Sequence, residues 1–108
     1  MTKYVATIQA GHNAERIMPA LTRGLQQIAS ESFAEDAKEN TVRWKIIPTG
    51  FAWTAGRPSN SSVLICTVPD GIAFEARANF MLQVNTFWVD QTGADPNNLL
   101  IFTVDSSA

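Results

Sequence analysis

The residues of this sequence best suited to chemistry are its arginines. Arg57 lies in a loop between two apolar segments, and Arg43 shares one face of an alternating segment with Lys45. A guanidinium offers two parallel donors to a carboxylate. We therefore expect Arg57 to bind an acidic ligand, with Arg43 and Lys45 adding positive potential. A solvent-exposed loop arginine is an equally simple interpretation of Arg57.

The single histidine and the single cysteine are interpreted as structural. His12 stands in a turn, with no cysteine near it in sequence. Cys66 lies within an apolar strand, where a small core residue is the expected role. Neither a metal-ligand constellation nor a glycine-rich phosphate loop is present. We therefore expect no metal and no cofactor.

Composition limits the remaining classes of protein. The chain has 108 residues, of which 45% are hydrophobic, and this suits one globular domain. The net charge is −2, and Lys and Arg are scattered, so no nucleic-acid footprint is visible. No apolar run reaches the roughly 20 residues that span a bilayer. We also expect no signal peptide. We expect a cytoplasmic protein without membrane or nucleic-acid partners.

The elements that must position these residues form a tandem repeat. Four strands are predicted at Tyr4–Gln9, Val42–Ile47, Val63–Val68 and Leu99–Val104, with a helical stretch inside each successive pair. We predict a single domain over residues 1–108. Its two β-α-β halves cover about 1–48 and 61–108, and the loop 49–60 joins them. That loop carries Phe51 and Trp53, which we expect to line a pocket or pack on a neighbour.

Right-handed crossovers place both helices on one face of a four-stranded mixed sheet, which is an α+β fold. Asp70 is predicted to cap the second helix. The segment Val63–Val68 is apolar on both of its faces, as in a strand buried on both sides. The other face of the sheet has no helix to cover it. Since a large exposed apolar patch is rare on a monomer, we expect oligomerisation through that face.

Two motifs carry a resemblance to a known family. The run Gly93–Ile101 (GADPNNLLI) follows a helix and leads into the last strand, and Gly56–Ile65 (GRPSNSSVLI) leads into the third. Both resemble the tautomerase superfamily, in its macrophage migration inhibitory factor and malonate semialdehyde decarboxylase branches. The resemblance implies a homotrimer whose sheets form a central barrel, with active sites at subunit boundaries. It also implies proton transfer by an amino-terminal proline, with arginines holding the substrate carboxylate.

Thr2 occupies the position of that proline. Methionine before a small residue is normally removed, and a free α-amine has a pKa near 8. Such an amine can accept a proton or form a Schiff base. Thr2 is therefore the catalytic candidate, although it lacks the ring that aims a proline nitrogen.

The substrate-binding candidates are Arg57, Arg43, Phe51 and Trp53, and the expected ligand is a small carboxylate. Asp36 and Glu39 lie where the decarboxylase branch keeps an acidic residue, but we interpret them as a solvated acidic run.

Three functions stay open at this point. The first is a tautomerase-like isomerase or lyase acting on a small oxo or enol carboxylic acid. The second is a non-catalytic trimeric binding or structural protein of the same fold. The third is a ferredoxin-like dimeric barrel, a fold used by small monooxygenases.

Overall fold

The computed structural model describes residues 1–108. In chain order the elements are β1 (Lys3–Gln9), α1 (Asn13–Arg16), α2 (Met18–Phe33), β2 (Thr41–Ile47), β3 (Trp53–Thr54), β4 (Arg57–Pro58), β5 (Ser62–Val68), α3 (Phe74–Thr92) and β6 (Leu99–Asp105). Single 3₁₀ turns at Ala37–Glu39 and Pro96–Asn98 lead into β2 and β6.

The main sheet has the order β2-β1-β5-β6. Strands β1 and β2 pair in parallel, as do β5 and β6, and the central pair β1–β5 is antiparallel. The prediction of an α+β fold with a four-stranded mixed sheet is confirmed. In a ferredoxin-like fold another strand separates the parallel strands of each β-α-β unit. Here those strands are direct neighbours, so the ferredoxin-like alternative is wrong.

Both long helices cover the same face of the sheet. Helix α2 begins at Met18, and Pro19 sits in its first turn, where a missing backbone donor costs nothing. The helices approach closely at Gly24, because a Cβ there would lie 1.9 Å from Cζ of Phe87. Glycine at this position therefore sets the spacing between α2 and α3.

The core lies between the helices and the covered face of the sheet. Its fully buried side chains come from alternate positions of β1 and β5 and from the apolar stripes of α2 and α3. They include Tyr4, Ala6, Ile8, Leu21, Leu25, Leu64, Cys66, Val68, Phe80, Val84 and Trp88.

The opposite face of the sheet is bare, as predicted. Ile65, Leu100, Phe102 and Val104 are exposed there. The exposure of Ile65 also corrects the expectation that β5 is buried on both sides, since only one of its faces meets the helices. No helix is both long enough and apolar enough to cross a membrane.

Asp70 does not cap the second helix, contrary to the prediction. Helix α3 begins only at Phe74, and its N-cap residue Ala73 makes no side-chain capping bond. The Asp70 carboxylate instead accepts hydrogen bonds from Ser106 Oγ and the Ser107 backbone N–H. It thereby ties the turn after β5 to the carboxyl-terminal segment.

Candidate functional site

The amino terminus forms a buried polar cluster around Thr2, which has no exposed surface. The Thr2 backbone N–H donates to Asn40 Oδ1 at 2.8 Å, and its hydroxyl donates to Glu35 Oε1 at 2.7 Å. The Met1 ammonium pairs with the second carboxylate oxygen of Glu35. Every polar atom of Thr2 is therefore engaged, since its carbonyl accepts from the Thr41 N–H at 3.1 Å.

The backbone after α2 brings Glu35 to this cluster. Helix α2 ends at Phe33, and Ala34 adopts the left-handed conformation (φ 53°, ψ 48°) that turns the chain out of the helix. The Ser30 hydroxyl then bonds the Glu35 carbonyl. As a result the Glu35 carboxylate, which is only 8% exposed, faces the start of β1.

Asn40 is fixed by a reciprocal pair of hydrogen bonds with helix α2. Its Nδ2 donates to the Gln26 carbonyl at 3.0 Å, and Gln26 Nε2 donates to the Asn40 carbonyl at 2.8 Å. Asn40 is fully buried. Its side-chain oxygen is thus held toward the Thr2 nitrogen.

A cavity of about 340 Å³ opens beside this cluster. Its lining combines one cationic, one anionic and several hydroxyl or apolar groups: Met1, Lys3, Thr67, Pro69, Asp70 and Ser106. The Ser107 backbone N–H, with help from the Ser106 and Ser107 side chains, holds the pKa of Asp70 below its usual value. Because Met1 forms part of the wall, its removal would open this cavity toward residue 2.

A second cleft lies at the opposite end of β1, beneath the β3–β4 hairpin. It has a volume of about 390 Å³ and an uncharged lining: Thr7, Ile47, Ala52, Trp53, Thr54, Ser59, Ser61, Val63, Asn97, Leu99 and Leu100. The hairpin closes on Ala55 and Gly56, both with positive φ, as a two-residue turn requires. Gln9 braces the cleft wall by donating to the Ser59 carbonyl at 2.6 Å.

The predicted substrate-binding residues do not meet Thr2 within one chain. Trp53 and Arg57 share the β3–β4 hairpin, and both are exposed, as is Phe51. Trp53 shares its cleft with Thr7, five residues beyond Thr2, which corresponds to about 16 Å along a strand. Arg43 is exposed on the bare face, in register with Val5.

Sequence reasoning missed the contacts of residue 2. Glu35 contacts Thr2, whereas Asp36 and Glu39 are exposed, as their interpretation as a solvated run expects. Asn40 gave one signal, since it is an amide two residues before the strand predicted at Val42–Ile47. Its side-chain orientation depends on Gln26, which lies 14 residues earlier on α2.

The remaining titratable groups of the core are held neutral. Burial raises the pKa of the Cys66 thiol to about 12. Burial also raises the pKa of Tyr4, with smaller contributions from the nearby Cys66 and Glu35. A thiol of this kind is a core group and not a nucleophile at neutral pH. No group of three His, Cys, Asp or Glu side chains is placed to hold a metal ion.

Comparison with solved structures defines the fold class. Native Ps01740 superposes with a TM-score of 0.89 at 22% identity, covering 95% of this chain and 92% of that one. A fused 4-OT, solved as a symmetric trimer, gives 0.83 at 17% identity over 95% and 84%. Pt0534 inactivated by 2-oxo-3-pentynoate gives 0.84 at 15% identity, also over 95% and 84%.

The chain therefore has the fold of the tautomerase superfamily, as its sequence motifs predicted. At these identities the likeness is one of fold. Neither a protein-family model nor a curated protein matches the sequence.

Proposed function

We propose that this protein is a homotrimeric, tautomerase-like enzyme that moves a proton on a small oxo or enol carboxylic acid. The proton-transfer group is the Thr2 amine, freed by removal of Met1. One observation carries the proposal: the Thr2 nitrogen is fixed 2.8 Å from Asn40 at the start of β1, next to the Glu35 carboxylate and a cavity walled by Met1. The inactivation of Pt0534 by 2-oxo-3-pentynoate supports the substrate class.

The two groups suit the ketonisation of an enol. A carboxylate beside an α-amine favours its ammonium form. The Glu35 carboxylate takes the proton from the enol oxygen, and the ammonium delivers a proton to carbon as the carbonyl forms. The proton on Glu35 then passes to the amine, which restores both groups. General acid–base catalysis of this kind contributes about 10²- to 10⁴-fold to a rate.

The bare sheet face supports the trimer. Ile65, Leu100 and Phe102 form an apolar surface that a second copy would remove from water, and a fused 4-OT of the same fold is solved as a trimer. Because Trp53 and Arg57 lie at the far end of β1 from Thr2, they would reach a residue-2 site only from a neighbouring copy. We assign Arg57, Phe51 and Trp53 to that role, with Arg43 adding positive charge. The cytoplasmic location stays a prediction.

The test compares two forms of the chain, released from a cleavable fusion so that one begins at Met1 and the other at Thr2. Each is assayed for ketonisation of phenylenolpyruvate and 2-hydroxymuconate. We expect turnover only from the form that begins at Thr2. An equal absence of turnover in both forms would retire the enzyme proposal.

Two substitutions refine the test. Glu35→Gln should lower kcat by about 10²-fold or more, because it removes the proton acceptor. Glu31→Gln is its matched control, since Glu31 bonds only Gln27 on the exposed side of α2. Arg57→Ala should raise KM for the acid, and Thr2→Pro should raise the rate. Unchanged kinetics in Glu35→Gln and Arg57→Ala would mean that the reaction occurs elsewhere.

A non-catalytic trimer is the second candidate, and the burial of Thr2 favours it. In the chain that keeps Met1, Thr2 has no exposed surface and no free polar atom, as in a structural anchor. This candidate predicts that intact mass spectrometry of the isolated protein finds Met1 retained. It also predicts a trimer without turnover in either form.

A further inference from the structure

We propose that Asn40 is a positioning residue that aims the residue-2 nitrogen, and that Gln26 holds Asn40 in that orientation. This inference rests on the proposed function, because it concerns the same amine. It adds two residues that do not touch the substrate. A threonine amine can rotate about its Cα–N bond, so its direction must come from hydrogen-bonding partners.

The surroundings of Asn40 permit only one orientation of its amide. Oδ1 accepts from the Thr2 N–H at 2.8 Å, while Nδ2 donates to the Gln26 carbonyl at 3.0 Å. The reversed amide would place its NH₂ against an N–H and its oxygen against a carbonyl oxygen. The site is fully buried, so no water could replace either lost bond.

Gln26 holds this arrangement from helix α2. Its side-chain NH₂ donates to the Asn40 backbone carbonyl at 2.8 Å, and its own backbone carbonyl accepts from Asn40. The pair links the middle of α2 to the residue just before β2. The neighbouring Gln27 points elsewhere and bonds only Glu31 at 2.8 Å. The chain therefore contains a matched amide, one position away, that has no part in the linkage.

After removal of Met1, the hydrogen bond to Asn40 orients a free amine instead of a peptide nitrogen. The Thr2 nitrogen becomes an amine or ammonium, and Asn40 Oδ1 continues to take one of its N–H groups. The remaining positions on nitrogen then point toward the space that Met1 occupied, which is the cavity wall shared with Lys3 and Asp70. Because the amine nitrogen is tetrahedral, its bond to Cα and the N–H held by Asn40 together determine the directions of its remaining positions.

The charge balance around the amine follows from the same contacts. Asn40 Oδ1 bonds an ammonium more strongly than an amine, so it favours the protonated form. The charged groups nearby are Glu35 in the cluster and Lys3 and Asp70 in the cavity wall. Tyr4 stays neutral, because burial raises its pKa. A change at Asn40 should therefore shift the pKa of the amine as well as its direction.

The experiment titrates the amine without any substrate. Chains that begin at Thr2 are treated with limiting acetic anhydride between pH 6 and 10, and acetylation of residue 2 is read from the mass of the amino-terminal peptide. Asn40→Asp keeps the acceptor toward Thr2 and adds a charge, while its second oxygen faces the Gln26 carbonyl; in folded protein it should raise the pKa of the amine. At pH 7 a shift of one unit slows acetylation about tenfold. Asn40→Leu should speed acetylation, and Gln26→Leu should do so to a smaller degree.

Gln27→Leu is the control and should leave the acetylation profile unchanged. Thermal unfolding of each variant separates loss of structure from loss of positioning. Leucine at position 40 removes both hydrogen bonds and aspartate removes the one to the Gln26 carbonyl, so if either variant does not fold, Gln26→Leu decides the matter. Acetylation profiles of the folded Asn40 and Gln26 variants that match the Gln27→Leu profile would overturn the inference.

A kinetic readout separates this inference from the proposed function. Where turnover exists, Gln26→Leu should lower kcat with little change in KM. Asn40→Asp should move the alkaline fall of kcat to higher pH, because the ammonium is the form that delivers the proton. A shifted acetylation profile in a protein without turnover would support the positioning and refute the enzyme. Turnover together with an unshifted acetylation profile would support the enzyme and refute the positioning role.

Discussion

The two faces of the sheet are built from the same strands but differ in how much of their apolar surface is buried. On the helix-covered face, Tyr4, Leu64 and Cys66 are buried completely within one chain. On the bare face, Ile65 lies between Leu64 and Cys66 along β5 and pairs with Phe102 on β6, and these two are 40% and 47% exposed. Strand alternation supplies apolar residues to both faces. Only one face finds its cover inside the chain.

This difference separates what holds one subunit together from what joins several subunits. The covered face has its helices, its aromatic contacts and a satisfied polar cluster at Thr2. The bare face has apolar side chains on β5 and β6 and the cations Arg43 and Lys45 on β2. Substitutions on the first should therefore change the stability of the fold, and substitutions on the second should change association.

The largest effect is expected from Phe80→Ala on the covered face. The Phe80 ring is fully buried, with its centroid 4.9 Å from that of Phe33 and 6.1 Å from that of Tyr4. Truncation of a buried phenylalanine costs about 3–5 kcal/mol. Urea unfolding should show this loss. Its matched control on the bare face, Phe102→Ala, should cost far less in the unfolding of a single subunit, and an equal loss would mean that the two faces do not differ.

The next effect concerns association through the bare face. Phe102→Asp places a charge in the middle of the surface that we propose is covered by other copies, and an unpaired buried charge is strongly unfavourable. We expect the oligomer to dissociate at least about a hundredfold more readily, which corresponds to about 2.7 kcal/mol. Analytical ultracentrifugation measures this change.

Leu82→Asp is the control for this substitution, because Leu82 is 63% exposed on α3, on the other side of the molecule. It should leave association unchanged. A native chain that stays monomeric at working concentrations would contradict the proposed interface itself.

The two faces also mark how far the sequence could predict the structure. A period of two residues assigns side chains to the two faces without any knowledge of distant contacts. The sheet, the side chains buried on one of its faces and the uncovered opposite face could therefore be predicted from the sequence. Trp44 illustrates this: alternation placed it on the face opposite Arg43, and the structure stacks it on Trp88, with centroids 6.0 Å apart.

The residue-2 cluster was less accessible, because it depends on where helix α2 stops. The left-handed turn falls on Ala34, a residue that gives no signal of that conformation. With the turn one residue later, Asp36 would take the place of Glu35; with the turn one residue earlier, Ala34 would take it, and no acid would face Thr2. In the same way, Asp70 had the correct residue type for a helix cap, but the helix begins four residues later.

The smallest expected effect tests the covered face through pH. The Cys66 thiol has a pKa of about 12 in the folded protein, against 9.0 for an unperturbed thiol, because it is buried. Above pH 9 the unfolded chain loses this proton while the folded chain keeps it. The stabilising contribution of the protonated thiol is therefore fully present below pH 9 and is lost as pH rises toward 12, by about 1.4 kcal/mol per pH unit.

Urea unfolding at pH 8.5 and pH 10 should show this decline in stability, and Cys66→Ala should remove most of it. Tyr4 adds its full slope only above its ordinary value of 10.0, which is why the comparison stops there. If the decline of the unfolding free energy with pH is unchanged in Cys66→Ala, water reaches the Cys66 thiol. The helix-covered face would then not be the closed core that distinguishes it from the bare face.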